Sequence, residues 1–141
     1  MGLNDMNCII EVIESLENAI LGKPVKESTI INAEKKLNLK FADDYRSYIK
    51  HYGCMAIDGH EITGISKIKN YDVITITECQ KQYNKDIPSN WYVIEQLNID
   101  GIVIWQSSTG EIYQTAPNKE PLKICDSLVE YINLWQMEKQ T

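Results

Sequence analysis

Apolar residues recur at helical spacing through the first third of the chain. Ile9, Ile13, Leu16 and Ile20 fall on one face, with Glu11, Glu14 and Asn18 on another, which predicts an amphipathic helix. Gly22 and Pro24 predict its end, so a first helix is expected within residues 1–22. A second helix is predicted with Ile30, Ala33 and Leu37 facing inward. In a third, Tyr45, Tyr48, Ile49 and Tyr52 recur at i, i+3, i+4 and i+7. Asp43 and Asp44 stand in its first turn, where the helix dipole favours anions. Gly53 stands where a left-handed C-cap is wanted.

The period then changes. Ile57 to Ile65 contains Asp58-Gly59 and Gly64, which predicts short strands and turns. Thr75-x-x-Glu78 reads as a capping box, with Val73, Ile76 and Tyr83 as the inward stripe of a fourth helix that ends before Ile87-Pro88. Trp91–Leu97, Gly101–Gln106 and Glu111–Thr115 read as three strands. Asp100-Gly101 and Thr109-Gly110 are turn signals between them. Turns that short join antiparallel neighbours. The run from Gly101 to Trp105 does not alternate, so its strand is expected in the centre, covered on both faces. Leu122–Cys125 adds an edge strand. Ser127-x-x-Glu130 caps a last helix with Leu128, Tyr131, Ile132 and Trp135 inward. Helices, then an antiparallel sheet, then a closing helix make an α+β fold.

Length and charge narrow the function. The chain has 141 residues, the size of one domain, so a single domain over 1–141 is expected. Its net charge is −6, which argues against direct nucleic-acid binding or an anionic membrane surface, both polyanions, and suits a basic partner. The charge is uneven. Residues 1–22 hold four acids and no base. Residues 23–53 hold seven bases and four acids, and residues 54–141 hold seven bases and twelve acids. The tightest apolar run, Ile102-Val103-Ile104-Trp105, is far below the roughly 18 residues of a membrane span. No basic-then-apolar leader and no Asn-x-Ser/Thr sequon is present, so a cytoplasmic protein is expected. Met1-Gly2 begins like a myristoylation site, but Met6 stands where Ser or Thr is required. Cys8, Cys54, Cys79 and Cys125 lie far apart and are expected as reduced thiols.

Familiar catalytic patterns are missing from the sequence: there is no Gly-rich phosphate loop, no His-Glu-x-x-His and no Gly-x-Ser-x-Gly. The most enzyme-like group is His51, Cys54, Asp58 and His60. A Cys beside a His can form a thiolate–imidazolium nucleophile. Here the Gly53 cap separates the two side chains, and a His in a last helical turn is already explained by the dipole. Zinc sites show tight ligand pairs, and only His51-x-x-Cys54 is tight. No catalytic residue, metal or cofactor is therefore assigned. Asp58, Glu61, Asp72, Glu95, Asp100 and Glu111 fall near loops and strand ends, and are the candidates for an acidic patch that docks a basic protein. Trp105 and Trp135 read as core. Trp91, at a strand start after Pro88-Ser89-Asn90, is expected partly exposed, where a Trp can anchor an interface.

Residues 30–50 read Ile-Ile-Asn-Ala-Glu-Lys-Lys-Leu-Asn-Leu-Lys-Phe-Ala-Asp-Asp-Tyr-Arg-Ser-Tyr-Ile-Lys, then Tyr52-Gly53. This resembles the opening of the SUKH superfamily: a helix with a Glu before a Leu, then Leu-Pro-x-x-Tyr, an amphipathic helix and a Gly. Ile62-Thr63-Gly64, Ile87-Pro88 with Tyr92-Val93-Ile94, Gly101-Ile102-Val103-Ile104, Gly110-Glu111-Ile112-Tyr113 and Ser127 to Ile132 resemble the later family pieces in order. The resemblance covers about residues 28–135 and leaves the first helix as an addition. Phe41-Ala42 departs from Leu-Pro; a Pro there only pre-sets a helix start.

The resemblance implies a small bent antiparallel sheet with N-terminal helices and a C-terminal helix packed around it. It also implies a non-enzymatic protein. Many bacterial members are immunity proteins that bind and neutralise a cognate toxin, often a nuclease, and fungal relatives act in cell-wall signalling by protein contacts. The expectation is thus an antitoxin acting by stoichiometric contact. A regulatory scaffold for a basic cellular partner is the alternative, and a small Cys/His hydrolase the third. The edge strand leaves a homodimer open.

Overall fold

The computed structural model describes residues 2–139, and the side chains of residues 8–137. The myristoylation comparison at Met1 and Met6 and the acid of Asp5 lie outside them. The order of elements is α1 (Gly2–Glu14), β1 (Ile20–Leu21), α2 (Glu27–Leu37), α3 (Asp43–Tyr52), β2 (Met55–Ile57), β3 (His60–Ile62), α4 (Val73–Tyr83), β4 (Trp91–Gln96), β5 (Val103–Ser107), β6 (Ile112–Thr115), β7 (Leu122–Cys125) and α5 (Leu128–Lys139). A single 3-10 turn, Lys69–Tyr71, precedes α4. The fold is α+β.

The strands form two antiparallel sheets, β1-β2-β3 and β4-β5-β6-β7, where one bent sheet was expected. Thr63 N–H still donates to Ile94 O at 2.9 Å, so the two sheets abut at β3 and β4. Past that bond the chain leaves β4: Gly64 bridges Asp72, with its N–H donating to Tyr71 O and its carbonyl accepting from Val73 N–H. A Cβ on Gly64 would lie 1.5 Å from the Gly53 carbonyl oxygen, so this segment packs backbone to backbone on the end of α3.

The four-stranded sheet is covered on both faces, as the unbroken apolar run predicts. Tyr92, Ile94, Ile104 and Ile112 face the main core with Ile9, Ile13, Tyr45, Tyr48, Leu128, Ile132 and Trp135. Trp91, Val93, Val103 and Trp105 face a second cluster closed by Ile76 of α4. All five residues of β5 are buried. Residues of neighbouring number thus enter different cores, following the two-residue period of a strand.

Two helices differ from their periodicity. α1 stops at Glu14, not near Gly22. Asn18 adopts φ 66, and Ile20 then pairs with Ala56 in a sheet, leaving its side chain 72% exposed. Apolar spacing alone does not separate a helix from a helix, turn and strand that keep the same period. In α4, Asp72 is the cap: its carboxylate accepts from Thr75 N–H at 3.2 Å and from Thr75 Oγ1 at 2.8 Å. Thr75 is therefore the capped residue, not the cap. Val73 and Ile76 are buried, but Tyr83 at the end of α4 is 81% exposed. In α5, Ser127 Oγ accepts from Glu130 N–H at 3.1 Å, and the Glu130 carboxylate accepts from Asp126 N–H at 3.1 Å. This is a capping box displaced by one residue.

The start of α3 is held by long-range partners. Ala42 N–H donates to the Tyr92 hydroxyl at 2.9 Å, and that hydroxyl donates to Gln106 Oε1 at 2.7 Å. Phe41 N–H donates to Glu34 at 2.8 Å. Where a Pro is missing from Phe41-Ala42, these bonds fix the helix entry instead.

Candidate partner-binding surface

The seven candidate residues separate into three groups. Asp58, Glu61 and Asp100 are exposed carboxylates. Asp58 occupies the β2–β3 turn with φ 48, and Glu61 projects from β3 on the face opposite the buried Met55, Ile57 and Ile62. Asp100 lies in the β4–β5 turn with φ 53.

Asp72 and Glu111 are half-exposed and already engaged. Asp72 caps α4. Glu111 accepts from Thr109 Oγ1 at 2.8 and 2.6 Å and from Ser107 Oγ at 3.2 Å. The Thr109 hydrogen bond is the main cause that holds its carboxyl below the usual carboxylate range. Asp100 and Glu111 flank opposite ends of β5, five residues or roughly 17 Å apart along the strand. They do not share one patch.

Trp91 and Glu95 are buried, which corrects their expected exposure. Trp91 is stacked on Tyr113 with ring centroids 4.1 Å apart and lies 6.4 Å from Trp105. The sheet face that carries Trp91 is the floor of the second core. Glu95 is 1% exposed. A register shift between Val93 and Glu95 sets Glu95 opposite Ile104, a residue of the main core, so the bulge turns a carboxylate inward. There the Tyr131 hydroxyl donates to Glu95, and His60 Nδ1 lies 2.9 Å from its other oxygen. His60 in turn stacks on Trp135 at 4.2 Å and 14°. The carboxylate ties β3, β4 and α5 together.

The enzyme-like group is dispersed. His51 Nδ1 is 2.9 Å from Ser47 O within its own helix. Burial raises the Cys54 thiol pKa against a smaller opposing effect of Ser66, so the thiol is protonated at neutral pH and weak as a nucleophile. Among the described residues, no group of three or more His, Cys, Asp or Glu side chains could hold a metal ion. All four cysteines are free thiols. No described helix is long and apolar enough to cross a membrane.

The described surface carries several grooves, two of them of more than 500 Å³. One, of 620 Å³, runs between the end of α4 and residues 115–120, over Gly101, Val103 and Trp105. Asp86, Lys119 and Glu120 line it, and Tyr83 stands on its wall. The floor is closed: Trp105 Nε1 donates to Thr115 Oγ1 at 2.8 Å. The other, of 540 Å³, lies between β7 and α5 and includes Ile124, Leu134 and Met137. Sequence reasoning missed Tyr83 as a surface residue because it falls seven positions after Ile76, on the inward period. The signal that separates them is helix length: α4 ends at Tyr83, past the edge of the sheet it covers.

No curated protein matches the chain. The SUKH_5 family model, described as SMI1-KNR4 cell-wall, matches residues 6–135. That span takes in most of α1, whose Ile9 and Ile13 are in the main core, as well as the ordered pieces from Ile30 to Ile132. With nearly the whole chain matched, the protein belongs to the SUKH superfamily.

Proposed function

We propose that the protein is an immunity protein: it binds a cognate toxin, of nuclease type, one to one in the cytoplasm and masks its active cleft. The observation that carries this reading is the acidic balance, a net charge of −6, on a fold whose superfamily works by protein contacts. A nuclease cleft is basic because it holds a polyanion. An acidic protein is steered into it, with on-rates raised about 10–10³-fold at low salt. Exposed carboxylates such as Asp58, Glu61 and Asp100 contribute to that field.

The test is co-expression with the toxin encoded beside this protein. Growth is restored and a one-to-one complex elutes from a sizing column. A toxin that still kills, with no complex formed, rejects the reading. The matched family's description names the cell wall, which favours one alternative: a regulatory scaffold for a basic cellular partner. A gene neighbourhood without a toxin gene supports that alternative.

A further inference from the structure

We infer that the groove between α4 and residues 115–120 is the docking site for a basic loop of the protein partner, with one Lys or Arg side chain seated between Tyr83 and the carboxylates of Asp86 and Glu120. This inference rests on the binding role proposed above and names the surface that performs it.

Four observations carry it. The groove has a volume of 620 Å³, within the roughly 300–1,000 Å³ of sites that enclose small ligands. It admits a side chain and a turn of backbone, but not a helix pair. Its lining is weakly acidic: Asp86 and Glu120 outnumber Lys119, and just outside it Asp100 adjoins Gly101 while Lys85 adjoins Asp86. The uncharged polar residues of the walls include Asn84 and Asn118, whose side-chain carbonyls accept hydrogen bonds from a guanidinium or ammonium.

Aromatic exposure is the third observation. Tyr83 is 81% exposed, and Ile99, two residues before Gly101, is 58% exposed. Neither supports the core, and a Tyr ring beside carboxylates offers a cation both a π face and a counter-charge. Such a residue, with apolar neighbours and a polar rim, has the anatomy of an interface anchor. Shape preorganisation is the fourth. A Cβ on Gly101 would lie 2.9 Å from Pro117 Cγ, so the glycine lets the β4–β5 turn close on residues 115–120. The floor below them is fixed by the Trp105–Thr115 hydrogen bond. A groove already formed lowers the ordering cost of binding to that of the incoming loop.

The test uses the full chain labelled with ¹⁵N. It is titrated with a short peptide alternating Arg with Gly and Ser, and with the same peptide carrying Glu for Arg. The Arg peptide is expected to give saturable shifts at Tyr83, Asn84, Asn118 and the Trp105 indole N–H. Affinity should fall about tenfold when salt is raised from low to physiological strength. Tyr83→Ala should weaken it about fivefold, and the Asp86→Lys/Glu120→Lys double variant about tenfold or more. These side chains are at the surface, so an unchanged melting temperature identifies variants that keep the fold. Equal response to the Glu peptide, shifts centred elsewhere, or variants that bind like the parent overturn the inference.

The toxin complex gives a second arm. If the parent neutralises the toxin and the variants do so equally well, the groove is wrong and the immunity reading stands. If no toxin binds but the Arg peptide maps to the groove, immunity is wrong and the groove stands.

Discussion

Asp43 and Asp44 look alike in the sequence and differ in the fold. Asp43 is exposed in the first turn of α3. Asp44 is 4% exposed, and its two oxygens accept from Gln106 Nε2 at 3.0 Å and from Leu128 N–H at 2.8 Å. It therefore caps α5 from a distance of 84 residues along the chain. Asp44→Ala strands two buried donors and should cost about 3 kcal/mol in urea unfolding, against about 0.5 kcal/mol or less for Asp43→Ala. Equal losses would contradict the division.

Glu34 gives a pH signature. Burial opposes its charge, but hydrogen bonds from Arg46 and Phe41 N–H, with the Arg46 charge, outweigh it and hold its carboxyl below the ordinary 4.5. Arg46 reaches Glu34 at 3.1 Å and Glu27 at 2.7 Å. A carboxyl with a lowered folded pKa stabilises above its unfolded pKa, and that stability is lost as pH falls through the folded value. Glu34→Gln should therefore lose about 2 kcal/mol at pH 7, and the gap to the parent should narrow as pH falls below the ordinary 4.5 and through the lowered folded value. A gap that stays constant throughout the acid range would show that the carboxylate charge is not what stabilises.

At the scale of elements, the backbone after β3 packs on the end of α3 where Gly53 and Gly64 meet. Gly64→Ala places a methyl group on a carbonyl oxygen, and overpacking of that kind should cost about 3 kcal/mol. A melting temperature within a degree or two of the parent would show that the backbones can part there. Most elements were legible because their signals are local: Asp58-Gly59 and Asp100-Gly101 mark turns, and Leu128 to Trp135 marks one helix face. The misses have a common cause in long-range geometry. Ile20 keeps the helical period yet pairs with Ala56. Glu95 faces inward only because of the bulge after Val93. Trp91 is covered only because α4 crosses the sheet. None of these is encoded in a window of neighbouring residues. The candidate site was less legible than the fold: Asp58 and Asp100 in turns and Glu61 on the outer face of β3 stay at the surface, but the groove beside Tyr83 joins segments about 35 residues apart.

For the whole molecule, most of the acid lies at the surface. Buried Glu34, Asp44 and Glu95 each have named hydrogen-bond partners. Exposed acids remain to set the long-range field. The central claim is that this field and surface recognise a basic protein. Its most direct test is stopped-flow association of the purified protein with the toxin that the proposed function requires, made catalytically inactive, over a range of salt. The account predicts a one-to-one complex whose association rate falls at least about tenfold between low and physiological salt, with little change in the dissociation rate. The absence of a complex, or an association rate indifferent to salt, would contradict it.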